Sequence, residues 1–261
     1  MTETVALAAH RLPPAPDASR KERLRRSREM LAHALTQGTT VAVVGSGCST
    51  PLGYPTWKSF AAEVVDLALT AAGDGGQRER LLRFKAKLGT PRVDSQDLMF
   101  MIGACERLFA GCPPQDNLYR RYLREHFQPP KPQADAEHNP YRALLELPIH
   151  RFVTTNYDCE IELALKAMRR IEWDRFGIDA RTGHTANPGP YLSFTQEGSD
   201  QLALFALSGV GAAENMVFHC HGRYDDPESI IATELDYQRW YFSEEEDRAT
   251  AFLQTFDLLL S

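Results

Sequence analysis

The stretch Val41-Ala42-Val43-Val44-Gly45-Ser46-Gly47-Cys48-Ser49 decides how the chain is read. Four apolar residues, three of them β-branched, run directly into a glycine turn. An apolar run of this length bounded by glycine predicts a buried parallel strand. Glycines at its carboxyl end let the backbone turn sharply and come close to a ligand. The amphipathic run from about Thr56 to Ala71 predicts a helix next. Strand, glycine turn and helix in that order leave backbone N–H groups where a phosphate can sit. The spacing departs from the dinucleotide fingerprint. Gly45 and Gly47 match its first two glycines, Thr50 stands where the third belongs, and the next glycine is Gly53. Taken alone, the turn fits a nucleotide site or a tight turn that binds nothing.

Composition narrows the classes. A chain of 261 residues, 43% hydrophobic, can bury one large α/β core, with or without a helical insertion. A net charge of −6 and a pI of about 5.8 argue against a surface built mainly to hold nucleic acid. The basic cluster Arg20, Lys21, Arg23, Arg25, Arg26 and Arg28 is read as the solvated face of a helix. The five cysteines form no C-x-x-C pair, so neither a disulfide framework nor a four-thiolate zinc site is suggested. Met1 to Ala18 lacks the basic start and long apolar stretch of a signal peptide. No run reaches the ~18 to 20 apolar residues of a membrane span, and a cytoplasmic setting is expected.

Residues 1–18, with Pro13, Pro14 and Pro16, are expected to form a flexible leader, and 19–261 the folded domain. A helix from Ser19 to about Gln37 is predicted, with Leu24, Met30, Leu31 and Leu35 as its apolar stripe and Gly38 as its stop. The first strand follows at Thr39 to Val44. Helices are predicted at Arg78 to Leu88, Ser95 to Phe109, Asp116 to Phe127 and Pro140 to Leu147. The block of about 77–148 therefore reads as an inserted helical subdomain, able to cover a cleft as well as to pack on the sheet. A second strand, His150 to Thr154, ends in Thr154-Thr155-Asn156-Tyr157-Asp158 and opens an amphipathic helix. Asp174 to Gln201 reads as a loop with short β pieces. A third strand, Met216 to Cys220, ends in His219-Cys220-His221-Gly222. Ser229 to Ala232 is a candidate strand, and Glu234 to Phe242 and Glu244 to Leu260 are candidate helices. The order predicts an α/β, doubly wound, mostly parallel sheet of Rossmann-like type. In such sheets ligands bind outside the carboxyl ends of the strands.

Those three strand ends offer hydroxyls, one Asn, one Asp and histidine. A glycine turn for phosphate, an amide and a carboxylate for ribose, and a histidine for proton transfer suit chemistry on a nucleotide sugar. Each residue also has a structural reading. Asn156 and Asp158 can cap the helix that follows them, Ser46 and Ser49 can bond within their own turn, and Trp57 can belong to the core. His219 is expected to face away from the candidate site.

The ordered set resembles the sirtuin-like NAD-consuming domain of bacterial anti-phage defence proteins. Gly45-Ser46-Gly47-Cys48-Ser49 with Gly53-Tyr54-Pro55-Thr56-Trp57 is similar to the family's glycine-rich NAD loop. Thr154-Thr155-Asn156-Tyr157-Asp158 resembles its Thr-x-Asn-x-Asp segment, and His221-Gly222 its His-Gly. Glu234-Leu235-Asp236-Tyr237 resembles a segment that follows. The resemblance implies NAD+ as substrate, with Asn156 and His221 catalytic. It implies that Gly45, Ser46, Gly47, Ser49, Trp57 and Asp158 bind the cofactor. Deacylase sirtuins carry Asp-Phe-Arg after Gly-x-Pro, where this chain has Thr56-Trp57-Lys58, and a four-cysteine zinc module that this chain lacks. Both departures imply NAD+ hydrolysis rather than acyl-lysine removal, with no zinc and no other metal ligands expected. The family usually continues past a helix like Phe252 to Leu260 into another strand with a glycine turn. Ending at Ser261, the chain is expected to be either a fragment or a form with a reduced nucleotide site. By the same resemblance, partners would be further copies of the chain or a defence protein such as a hexameric ATPase or an Argonaute-like protein.

Overall fold

The structure, a computed structural model, describes residues 20–36, 40–73, 75–110, 117–129, 139–169, 192–196, 202, 205 and 215–241. The expected leader at 1–18, the helix expected at 244–260 and most of the loop at 174–201 lie outside these residues. Four short parallel strands make one sheet: β1 (Val41–Val44), β2 (Arg151–Thr154), β3 (Leu192–Thr195) and β4 (Met216–His219), in the order β1-β2-β4-β3. The register levels their carboxyl ends, with Val44 opposite Thr154 and Thr154 opposite His219. Three loops therefore leave the sheet side by side.

The period of two splits each strand between two cores. Val44, Phe152 and Val217 join the larger cluster, which the helices cover. Val153, Met216 and Phe218 join a second, with Phe194 and Phe205. Phe194 stacks on Phe218 at 5.2 Å between ring centroids. At β1 this second face is less covered: Val41 packs partly against the second cluster, and Val43 is 75% exposed.

Helix α1 (Arg20–Thr36) precedes β1, and α2 (Trp57–Ala71) follows the glycine turn. Thr56 caps α2, its hydroxyl accepting from Ser59 N–H. Phe60, Ala61, Val64, Val65 and Ala68 form its buried face. Between β1 and β2 run α3 (Gly76–Leu88), α4 (Ser95–Phe109), α5 (Leu118–Phe127) and α6 (Pro140–Leu145). Polar residues cap three of them: Asp94 for α4, Asn117 for α5 and Asn139 for α6. Helix α7 (Glu160–Arg169) follows β2, and α8 (Glu234–Tyr241) follows β4.

On the apolar stripe of α1, Leu24, Met30 and Leu31 are exposed, and Leu35 packs partly against the main cluster. One expectation fails: Ser229 to Ala232 is not a strand. Pro227–Ser229 forms a turn of 3₁₀ helix, and Ile231 N–H bonds the His221 carbonyl instead of a strand neighbour.

Candidate functional site

The three loops beyond β1, β2 and β4 open into one cavity of about 320 Å³. Ser46 and Ser49 reach it from the first loop, Asn156 and Asp158 from the second, and His221 from the third. Trp57 closes another side from the start of α2, tilted against Phe60 at 5.5 Å. The helices between β1 and β2 contribute Ser95, Met99 and Phe127, so they wall the cleft. Trp57, Phe60, Phe127 and Tyr157 make an apolar, aromatic interior. Among the described residues Asp158 is the only carboxylate in the lining, and no Lys or Arg takes part.

The glycine turn is built by three backbone bonds: Cys48 N–H to Gly45 O, and Ser49 and Thr50 N–H to Ser46 O. The N–H groups of Ser46 and Gly47 have no partner among the described residues. Gly45, Ser46 and Gly47 are all exposed. A Cβ placed on Gly47 would meet nothing within 4 Å, so the space beside it is open. Such unpaired N–H groups suit an anion.

Asn156 stands two residues beyond β2 and is fastened from every side. Its N–H donates to Thr154 Oγ1 at 3.0 Å, and its carbonyl oxygen faces His219 Nδ1 at 3.1 Å. Its Nδ2 lies 3.2 Å from Gly45 O, 2.9 Å from Ser49 Oγ and 3.0 Å from the Tyr141 hydroxyl. The Gly45 carbonyl can only accept, which fixes the amide with its nitrogen inward. The carbonyl oxygen Oδ1 is then the polar atom left for the cleft.

Asp158 is fully buried. Its Oδ1 accepts from Glu160 N–H at the start of α7, and its Oδ2 accepts from Ser49 Oγ at 2.7 Å. Burial pushes its carboxyl up to about 6, although both hydrogen bonds oppose the rise. Asp158 and Ser49, expected to meet the ligand, line the cavity but turn their polar atoms to each other. His221 stands two residues beyond β4. Burial pulls its imidazole down to about 4, so the ring is neutral at pH 7. Its Nε2 lies 3.3 Å from the Tyr237 hydroxyl of α8. Gly222 holds the loop at φ 84, and a Cβ there would come within 2.2 Å of Ser229 O.

His219 points away from the cavity to the face covered by α7. It is wholly buried, with Nε2 2.6 Å from Glu162 Oε1 and Nδ1 against the Asn156 carbonyl. Ser193 of β3 also donates to Glu162, at 2.8 Å, and Arg223 reaches the same serine. Burial alone would raise the Glu162 carboxyl, but His219, Arg223 and Ser193 outweigh it and hold it well below the usual range. Cys159, Glu162 and His219 offer donor atoms within 4.8 Å of one another, close enough for a divalent cation to draw together. Both ring nitrogens of His219 already have partners, however, and Arg223 supplies positive charge beside the cluster. This set reads as an ion-pair network under the site.

Sequence reasoning missed Tyr141, Glu162 and Ser193. Tyr141 is an aromatic residue at the start of a short helix, and nothing local marks its hydroxyl for the site. His219 does face away from the cavity, but not by alternation: two positions apart, it and His221 would share one face of a regular strand, and they part because β4 ends at His219 and His221 lies in the loop beyond.

Residues 150–260 match the family model of the SIR2-like domain. This stretch contains β2 to α8 and, with them, Asn156, Asp158 and His221. The fold is a mostly helical α/β fold with an all-parallel sheet, consistent with a Rossmann-like fold of SIR2 type. SIR2-like domains bind NAD+ and are usually NAD-dependent enzymes, so the match points to an NAD-related function. No curated protein matches the chain. No helix among the described residues is long and apolar enough to cross a membrane.

Proposed function

We propose that this chain, which carries a SIR2-like domain at residues 150–260, is an NAD+ glycohydrolase. It would cleave the bond between nicotinamide and ribose, giving nicotinamide and ADP-ribose. One observation carries the reading: Asn156 and His221, each two residues beyond neighbouring strands, line one cavity together with Ser46 of the glycine turn. The aromatic interior suits a pyridinium ring. The unpaired N–H groups of Ser46 and Gly47, at the exposed turn, suit the pyrophosphate.

The chemistry asks little acid catalysis. The pyridinium nitrogen takes the electron pair of the breaking C–N bond and leaves neutral. A water oxygen bonds to the ribose carbon and gives up a proton. His221, neutral at pH 7, is placed to accept that proton. Asn156 Oδ1 can accept a hydrogen bond from the water or from a ribose hydroxyl, holding it as positive charge develops on the ring. Asp158 would act behind the site, through Ser49. In a cell the outcome would be NAD+ depletion, and we place it in the cytoplasm of a prokaryote responding to phage, by family analogy.

The test is nicotinamide release from NAD+ by the purified chain, alone and in its native assembly, compared with Asn156→Ala and His221→Ala. Full activity in both variants would sink the site assignment. No release from the chain or its assembly would sink the hydrolase reading.

A second reading is a catalytically silent, nucleotide-binding or assembly subunit, partnering further copies, an ATPase or an Argonaute-like protein. The exposed Leu24, Met30 and Leu31 favour it, because they leave apolar surface on the basic helix α1. Binding of NAD+ or ADP-ribose without turnover would select it.

A further inference from the structure

Behind the cavity, four side chains share hydrogen bonds whose directions can be worked out. Asp158 accepts the single hydrogen of Ser49 at Oδ2, 2.7 Å away. Ser49 then has none left for Tyr141, 2.6 Å away, so the Tyr141 hydroxyl donates to Ser49. Tyr141 has thereby used its own hydrogen and can only accept from Asn156 Nδ2, at 3.0 Å. Ser49 accepts from the same nitrogen at 2.9 Å. Every arrow runs from Asn156 toward Asp158. The Gly45 carbonyl, 3.2 Å from Nδ2, demands the same orientation of the amide.

We propose that Tyr141 and Ser49 are positioning residues: their hydroxyls relay the Asp158 carboxylate to the Asn156 carboxamide and hold its oxygen toward the cavity. The proposal rests on the NAD+ hydrolase reading of this site. Neither hydroxyl need touch the substrate. Tyr141 is wholly buried, and Ser49 is 2% exposed with its hydrogen and its acceptor sites engaged inside the fold.

Reversing the relay shows why it orients. If Asp158 carried a proton, it could donate to Ser49, and Ser49 would turn its hydrogen to Tyr141. Tyr141 would then need an acceptor, and Asn156 could offer one only by presenting Oδ1. That rotation would set Oδ1 against the Gly45 carbonyl, acceptor against acceptor. The ionised carboxylate thus selects one amide orientation, and its protonation removes that selection. The charged and titratable groups around Asp158 are Cys48, Tyr54, Tyr141, Cys159, Glu160 and His219. Glu160 opposes its ionisation and His219 favours it.

The experiment compares wild type with Tyr141→Phe and Ser49→Ala, both of which keep the buried shape. Nicotinamide release from NAD+ is followed from pH 4.5 to 9. Exchange of the Asn156 side-chain amide protons is followed by NMR on ¹⁵N-labelled protein, the signals being assigned by their loss in Asn156→Ala. Tyr141→Phe is expected to lower kcat about tenfold with KM changed less than about twofold, and to speed Asn156 amide exchange at least about tenfold. Ser49→Ala is expected to move the acidic limb of kcat/KM to higher pH, because Asp158 loses the hydroxyl that favours its charged form. Unchanged amide exchange in both variants overturns the relay, whether or not NAD+ is cleaved. Faster exchange with unchanged kcat overturns the positioning role. A wild type that cleaves no NAD+ overturns the hydrolase reading, and the exchange rates then decide the relay by themselves.

Discussion

Asn156 Nδ2 stands 3.2 Å from the carbonyl oxygen of Gly45, so the side chain at the end of one strand is tied to the turn at the end of its neighbour. The bond is a structural reason for the amide at this position. Asn156→Asp keeps the shape but replaces the two amide hydrogens, shared among Gly45 O, Ser49 and Tyr141, with an acceptor facing all three. A buried acceptor left against a carbonyl costs about 1–3 kcal/mol. The variant is expected to lose that much stability in urea unfolding at pH 7 and to release nicotinamide at least roughly 100-fold more slowly. An Asp variant with wild-type rate would show that the orientation of Oδ1 does not matter.

The pH profile is expected to carry an unusual assignment. His221 sits at about 4, so it remains neutral, and able to accept a proton, far below the usual range of histidine. The group that titrates near 6 is Asp158. The acidic limb of kcat/KM should therefore fall near pH 6 and disappear in Asp158→Asn, even if that variant is slower throughout. Stability has its own sign. The Asp158 pKa is raised on folding, so its contribution is full below the unfolded value, about 3.9, and is lost as pH rises through about 6. His221 is lowered, so its contribution is full above about 6.5 and is lost as pH falls through about 4. Unfolding of wild type against Asp158→Asn between pH 4 and 7 should show the first trend. A gap that stays constant across this range would contradict it.

Gly47 separates binding from folding. Its added Cβ would meet nothing in the protein, and its φ is not in the left-handed region. Gly47→Ala should unfold within about 0.5 kcal/mol of wild type. If the pyrophosphate approaches this turn, the methyl group intrudes on the ligand, and KM for NAD+ should rise several-fold or more. Unchanged KM would move the phosphate elsewhere.

Gly222 is the opposite case. At φ 84, with Ser229 O 2.2 Å from the position of a Cβ, alanine there forces the backbone to move. Gly222→Ala should cost more than about 2 kcal/mol and displace His221, its neighbour. Thermal unfolding and nicotinamide release should fall together. A variant that keeps both would show that this loop has slack.

The strand ends were legible because each ends an apolar run in residues a strand interior would not hold: Gly45, Asn156 and His221. Their meeting in one cavity follows from a level parallel register, which alternation and loop order anticipate. What could not be read was the second layer. Tyr141 reaches Ser49 across 92 positions, and Glu162 reaches His219 across 57, through contacts that only packing creates. The stripe on α1 shows the same limit. Amphipathic spacing says that a face can be buried, but it does not say against what.

That second layer yields the last prediction. His219, Glu162, Ser193 and Arg223 tie β3, β4, α7 and the loop after β4 into one buried network. Glu162 Oε2 has no partner among the described residues, so the carboxylate depends on the bonds made by Oε1 and on nearby positive charge. His219→Ala would leave Glu162 buried without its main counter-charge, at a cost of about 3–5 kcal/mol at pH 7. At pH 5 the loss should shrink, because Glu162 in the variant takes up a proton more readily than in wild type. Replacing the pair together, as Glu162→Leu with His219→Phe, should recover much of the stability, since an apolar pair carries no desolvation penalty. It should not recover the rate of nicotinamide release, because His219 Nδ1 also holds the Asn156 carbonyl. Urea unfolding at the two pH values, with turnover on the same samples, separates the two roles. A His219→Ala loss below about 1 kcal/mol at pH 7 would mean that the network carries little of the fold.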